Sequence, residues 1–148
     1  MSTFLVSLNT ARKVDTVEHG TVRGLLIANP AEVKSRALAR EYLEIAAGDE
    51  IIACSEGGVR WRASVDEVLD ATVGEGDGDC AEGDPVRVVK GTLVARGSRS
   101  LAAVCKQMKD EDVELPGIVN TRGSGFRQGA LAARLTEEQN AAFSAGLA

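Results

Sequence analysis

One string occurs twice in this chain, "VRGLLIA" at 22–28 and "VKGTLVA" at 89–95, and it limits the fold more than any other feature. Each copy is a largely aliphatic run broken by a basic residue and a glycine, with Thr92 as a further interruption in the second, and each precedes a segment with helical spacing. Such runs read as buried strands. At the same offset of 67, Ile51 and Ile52 fall on Ile118 and Val119, and Gly58, Arg60 and Ala63 fall on Gly125, Arg127 and Ala130. The intervening helices keep the same inward face only after a slide of about one turn. Duplication and chance, in a chain where Val, Gly and Ala are common, both remain open.

The expected class is α+β, of α/β type. Two strand-helix-strand pseudo-repeats, about 1–72 and 85–148, share a mixed or antiparallel sheet with helices on one face and an N-terminal hairpin. A length of 148 residues suits one domain able to bury about two-thirds of its unfolded surface.

Within the first half, "TFLVSL" (Thr3 to Leu8) and "KVDTVE" (Lys13 to Glu18) are predicted to pair as the hairpin. A helix is expected from Pro30 to about Ala47, capped by Asn29 and stopped by Gly48, with Leu38, Tyr42 and Ile45 inward. "EIIAC" reads as a strand buried on both faces, followed by a turn and an alternating partner that puts Val59, Trp61 and Ala63 on one side. Ser64 and Glu67 predict a short helix through Ala71.

From Asp66 to Asp84 there are eight acidic residues and no basic one. Residues 73–84 combine Gly with acid and show no apolar period, which predicts an acidic linker. Beyond it, Pro85 to Arg96 is a long strand or a hairpin bent at Lys90-Gly91. A helix capped by Ser98 follows, with Leu101, Val104, Cys105 and Met108 as the clearest amphipathic stripe. A short strand is expected at Ile118-Val119 and a turn at "TRGSG", while "FRQGALAARL" fits either strand or helix. Thr136 and Gln139 open a last helix with Ala141, Ala142 and Phe143 inward.

Chemistry is sparse. One histidine and three scattered cysteines do not supply a four-ligand zinc site. Asp77 and Asp79 resemble the start of a calcium loop, but Ala81, Glu82 and Val88 occupy the later positions that need a ligand, a glycine and a bidentate Glu. His19 reads as a turn residue, Cys80 as a thiol suppressed by neighbouring carboxylates, and Cys54 and Cys105 as core. "RGSGFRQG" resembles a dinucleotide loop entering a helix, yet the preceding strand is very short and no acidic ribose partner follows. No catalytic residue, cofactor or metal is assigned. The candidate anion- or partner-binding residues are Arg60, Arg62, Arg122, Gly123, Gly125 and Arg127, two Gly-turn-Arg sites.

The expected function is therefore non-catalytic: a structural or interaction protein that self-associates or joins a larger assembly, such as a virion accessory component. Strands like Thr3 to Leu8 would pair across chains at a sheet edge. The alternative is a small anion- or nucleic-acid-binding regulatory module using the Gly-turn-Arg loops. Five aromatic residues offer few base-stacking platforms and the basic positions are scattered in sequence, so a protein partner is favoured over nucleic acid. No basic segment leads into a sustained apolar run and no stretch could span a bilayer, so a cytoplasmic or virion location is expected rather than a membrane.

Overall fold

Strand β4, Glu50–Ser55, shows why this chain builds one sheet with two cores. Successive side chains of a strand point to opposite faces, and Ile51 and Ala53 enter one apolar cluster while Ile52 and Cys54 enter another. The computed structural model describes residues 1–8, 17–18, 21–28, 30–55, 57–72, 85–145 and 147. The predicted linker 73–84, and with it Asp77, Asp79 and Cys80, lies outside these residues, as do His19, Gly20 and Asn29.

The described chain forms a mixed sheet of β1 (Thr3–Ser7), β2 (Val17–Glu18), β3 (Thr21–Ala28), β4, β5 (Gly58–Thr72), β6 (Pro85–Arg96) and β7 (Ala132–Arg134). Its order is β2-β3-β6-β5-β4-β1-β7. The helices are α1 (Pro30–Lys34), α2 (Leu101–Asp110) and α3 (Glu137–Ser144), with a 3-10 turn at Arg40–Glu44. This is the expected α+β class. Among the described residues no helix is long and apolar enough to cross a membrane.

Several local expectations change. Strand β1 is interior, parallel to β4 on one side and antiparallel to β7 on the other, so it neither forms a hairpin with the 13–18 segment nor offers an edge to another chain. Its five residues are all buried. The described part of "KVDTVE" pairs instead with β3, Glu18 opposite Thr21.

The long helix from Pro30 breaks after Lys34. Its later carbonyls and side chains are claimed by the rest of the fold: Leu38 accepts a hydrogen bond from the Leu131 amide, the Arg36 guanidinium donates to the Gly129 carbonyl, and the Tyr42 hydroxyl donates to the Arg87 carbonyl. Tyr42 and Ile45 enter the first core as expected, whereas Leu38 packs against the second. Tertiary partners outweigh the modest preference of this segment for a continuous helix.

The helix predicted from Ser64 is strand. Strand β5 runs on to Thr72 because β6 offers a continuous partner, pairing from Trp61↔Arg96 to Thr72↔Pro85. Bulges adjust its faces. At the β4–β5 bulge Arg60 is the extra residue, so Val59 faces the second core while Trp61 and Ala63 face the first. Strand β6 does not bend into a hairpin at Gly91. That glycine is needed for another reason: a Cβ there would collide with the Ser64 carbonyl of β5.

Helix α2 begins two residues later than a Ser98 cap implies, since Ser100 Oγ accepts from the Ala103 amide at 3.1 Å. Its Leu101, Val104, Cys105 and Met108 are all buried, each of the larger ones worth roughly 1.5–3 kcal/mol. The Ile118-Val119 strand reduces to a bridge, Val119↔Phe126, and the ambiguous segment beyond it supplies β7. Helix α3 carries the full capping box between Thr136 and Gln139 and buries Ala142 and Phe143, leaving Ala141 exposed.

The helices lie on both faces, not one. Val33, Ala39, Tyr42 and Ile45 pack on the face of Phe4, Val6 and Trp61, while α2 and α3 pack on the opposite face with Leu5, Ile52 and Val59. This bears on the repeated string. Its two copies are hydrogen-bonded neighbours in antiparallel β3 and β6, with a register irregularity between Val22 and Leu26. A two-fold axis relating such neighbours stands perpendicular to the sheet and would keep both following helices on the same face. They are on opposite faces, so the structure does not confirm a repeat beyond the strings themselves.

Candidate functional site

Two stretches free of acidic residues, Arg96 to Lys109 and Pro116 to Gln128, are brought together beside α2. The join is made by Lys109, whose Nζ donates to the carbonyl of Arg122 at 3.0 Å and approaches that of Thr121 at 3.4 Å. The solvent face of α2 presents Ala102, Ala103, Lys106 and Lys109. At its N-terminal end stand Arg60, Arg96 and Arg99, positioned by backbone bonds from Gly97 to Arg60 (2.9 Å) and from Val59 to Arg99 (2.8 Å). Basic residues that are scattered in sequence thus follow one helix. Asp110, Glu111 and Asp112 bound the surface at the C-terminal end.

The loop carrying Arg122 is locked. The Gly123 amide donates to the Asn120 carbonyl, the Asn120 amide to the Gly125 carbonyl, and Asn120 Oδ1 accepts from the Ser124 amide at 3.1 Å. Gly123 is buried at φ 70°, and a Cβ there would stand 2.8 Å from Cys105 Cβ. Both the left-handed backbone and the close approach to α2 require glycine. Arg122 is left exposed at the tip. Gly125 has an ordinary φ and space around it, so its role is to accept the Asn120 amide.

The other candidate residues separate. Arg127 lies at the base of the same short hairpin, its guanidinium donating to the Gly117 carbonyl at 3.1 Å. Arg60 folds back over Gly58 and donates to the Ser55 carbonyl. Arg62 is a structural residue: its Nε meets Glu50 Oε2 at 2.7 Å in a charge contact outside hydrogen-bond alignment, and another guanidinium nitrogen donates to Ser144 Oγ on α3. The two Gly-turn-Arg sites therefore sit towards opposite ends of α2. The left-handed glycines of the two turns are Gly57 and Gly123, one position away from the 67-residue offset. Lys106, Lys109 and Arg99 are not among the sequence candidates; for Lys106 and Lys109 the available signal is their spacing on the exposed side of the α2 stripe.

Nothing in the two cores favours nucleophilic chemistry. Burial pushes the Cys54 thiol up to about 12, with nearby Cys105 adding to the effect and Arg60 opposing it. Burial also raises Cys105, against the pull of Lys109. Neither supplies thiolate at neutral pH. Among the described residues no three His, Cys, Asp or Glu side chains cluster as a metal site. A shallow cavity of about 400 Å³ lies between Met1–Thr3 and the start of α3, but Glu137 lines it and the capping box already satisfies the helix end.

Compared with known proteins, the chain matches no family model and no curated sequence.

Proposed function

We propose that this chain is a non-catalytic binding module that holds a polyanion along α2 and the Arg122 loop. The observation that carries this reading is the Lys109–Arg122 contact, which merges two acid-free basic stretches into one surface. Charge elsewhere sharpens it. Strand β5 runs from Arg60 to the exposed acids Asp66, Glu67 and Asp70, about 33 Å away at ~3.3 Å per residue. A chain of net charge −5 thereby keeps a positive end and a negative end, which orients an approaching polyanion. Assembly through a Thr3–Leu8 edge loses its support because β1 is interior.

Retention on immobilised heparin at increasing salt tests the reading. Lys106→Glu with Arg122→Glu should elute at clearly lower salt than the unchanged protein. The control is Arg134→Glu, which alters a residue paired with Glu44 beneath the opposite face. If patch and control variants shift equally per charge, the polyanion surface is not at α2.

A further inference from the structure

Resting on that reading, we infer that the polyanion is duplex nucleic acid, held through its phosphates without preference for base sequence. Three observations narrow the class. First, all five aromatic residues are committed to the interior: Phe4, Tyr42, Trp61 and Phe143 are buried, and Phe126 packs against the second core. Single strands are held by stacking bases on exposed aromatic faces, and this surface presents none. Second, the amide side chains of Gln107 on α2 and Asn120 in the Arg122 loop are tied up internally. Gln107 Nε2 donates to Glu111 at 3.3 Å, and Asn120 bonds Ser124 through both its oxygen and its nitrogen. Side-chain amides are among the groups that read adenine edges, so discrimination at adenine has little to work with.

Third, the cations left facing solvent are carried on rigid supports. Lys106 projects from a helix of about 15 Å, the half-buried Arg99 precedes its cap with its guanidinium over the Ala103 carbonyl at 3.5 Å, and Arg122 tips a turn fixed by Asn120, Gly123 and Lys109. A surface that binds by charge alone favours the partner with the densest charge, and a duplex carries one phosphate per ~1.7 Å of axis. Contact with about three phosphates gives a salt slope of about −2.7, or roughly a 40-fold loss of affinity between 50 and 200 mM salt.

Fluorescence anisotropy with two unrelated duplexes of roughly 20 base pairs, and with their separate strands, decides the matter at those two salt concentrations. The expected result is that both duplexes bind equally, at least about fivefold tighter than either strand, with the steep salt dependence given above. Strands bound as tightly as duplexes, or one duplex preferred more than about tenfold over the other, overturns this inference and leaves the polyanion reading standing. Duplex binding unchanged in the folded Lys106→Glu, Arg122→Glu variant overturns both.

Discussion

The ammonium of Lys109 donates to the backbone carbonyl of Arg122 across 3.0 Å, so one basic residue is spent on holding another in place. Lys106, one helical turn earlier and equally exposed, has no such duty in the loop. Charge and support are therefore separable at this surface.

Replacing Lys109 with Met should loosen the loop, while Lys106→Met should not, although both remove one charge. Loss of an exposed charged donor worth about 1 kcal/mol corresponds to roughly fivefold faster amide exchange. The amides to watch are Gly123 and Ser124, which bond to Asn120. Equal exchange in the two variants would remove the positioning role of Lys109.

Gly91→Ala should destabilise the fold by about 1–3 kcal/mol, the range for forcing extra atoms into a packed interior. The obstacle is the Ser64 carbonyl on the neighbouring strand, which cannot swing aside as a side-chain end would. Gly117→Ala is the control, since nothing lies within 4 Å of its added carbon, and it should stay within about 0.5 kcal/mol. Urea midpoints measure both; a Gly91→Ala midpoint matching the control would contradict the β5–β6 register.

Stability should be level from pH 6 to 8 and fall above about 9. The folded Cys54 thiol holds its proton up to about 12, against an ordinary value of 9.0. Below pH 9 both folded and unfolded thiols are protonated, so the full stability is present. As pH rises towards 12 only the unfolded chain ionises, and each pH unit costs up to ~1.4 kcal/mol per thiol. Tyr42, also raised by burial, adds to the loss at still higher pH. Cys54→Ala should lower the urea midpoint at every pH but flatten its alkaline decline. An unchanged decline would mean that Cys54 is not the titrating group.

Much of the fold is legible locally. The α2 stripe of Leu101, Val104, Cys105 and Met108, the Thr136–Gln139 capping box and the doubly buried β4 each lie within a few residues of sequence and are recovered in place. Elements fail where distant partners compete. Ser64 and Glu67 satisfy a local rule for starting a helix, yet the segment is strand because Pro85–Gly91 supplies a ladder beside it. The stretch from Pro30 has a good helical start, but its Leu38 carbonyl bonds Leu131, nearly a hundred residues away. Of the candidate site, Arg122 and its glycine turn were visible, whereas the contribution of α2 was not, because no spacing rule links Lys109 to Arg122.

By itself the sequence determined which side chains must be hidden: periodicity of 2 or 3.6 assigns an inward face wherever apolar residues repeat, and burial then follows from the cost of exposing them. Tertiary structure alone decided which faces met, putting α2 and α3 across the sheet from the 3-10 turn, moving β1 to the interior and setting two basic stretches side by side. The physical reason is that strand pairing and backbone hydrogen bonding are nearly indifferent to side-chain identity. Order within the sheet is therefore fixed by the summed fit of the whole chain rather than by any one segment.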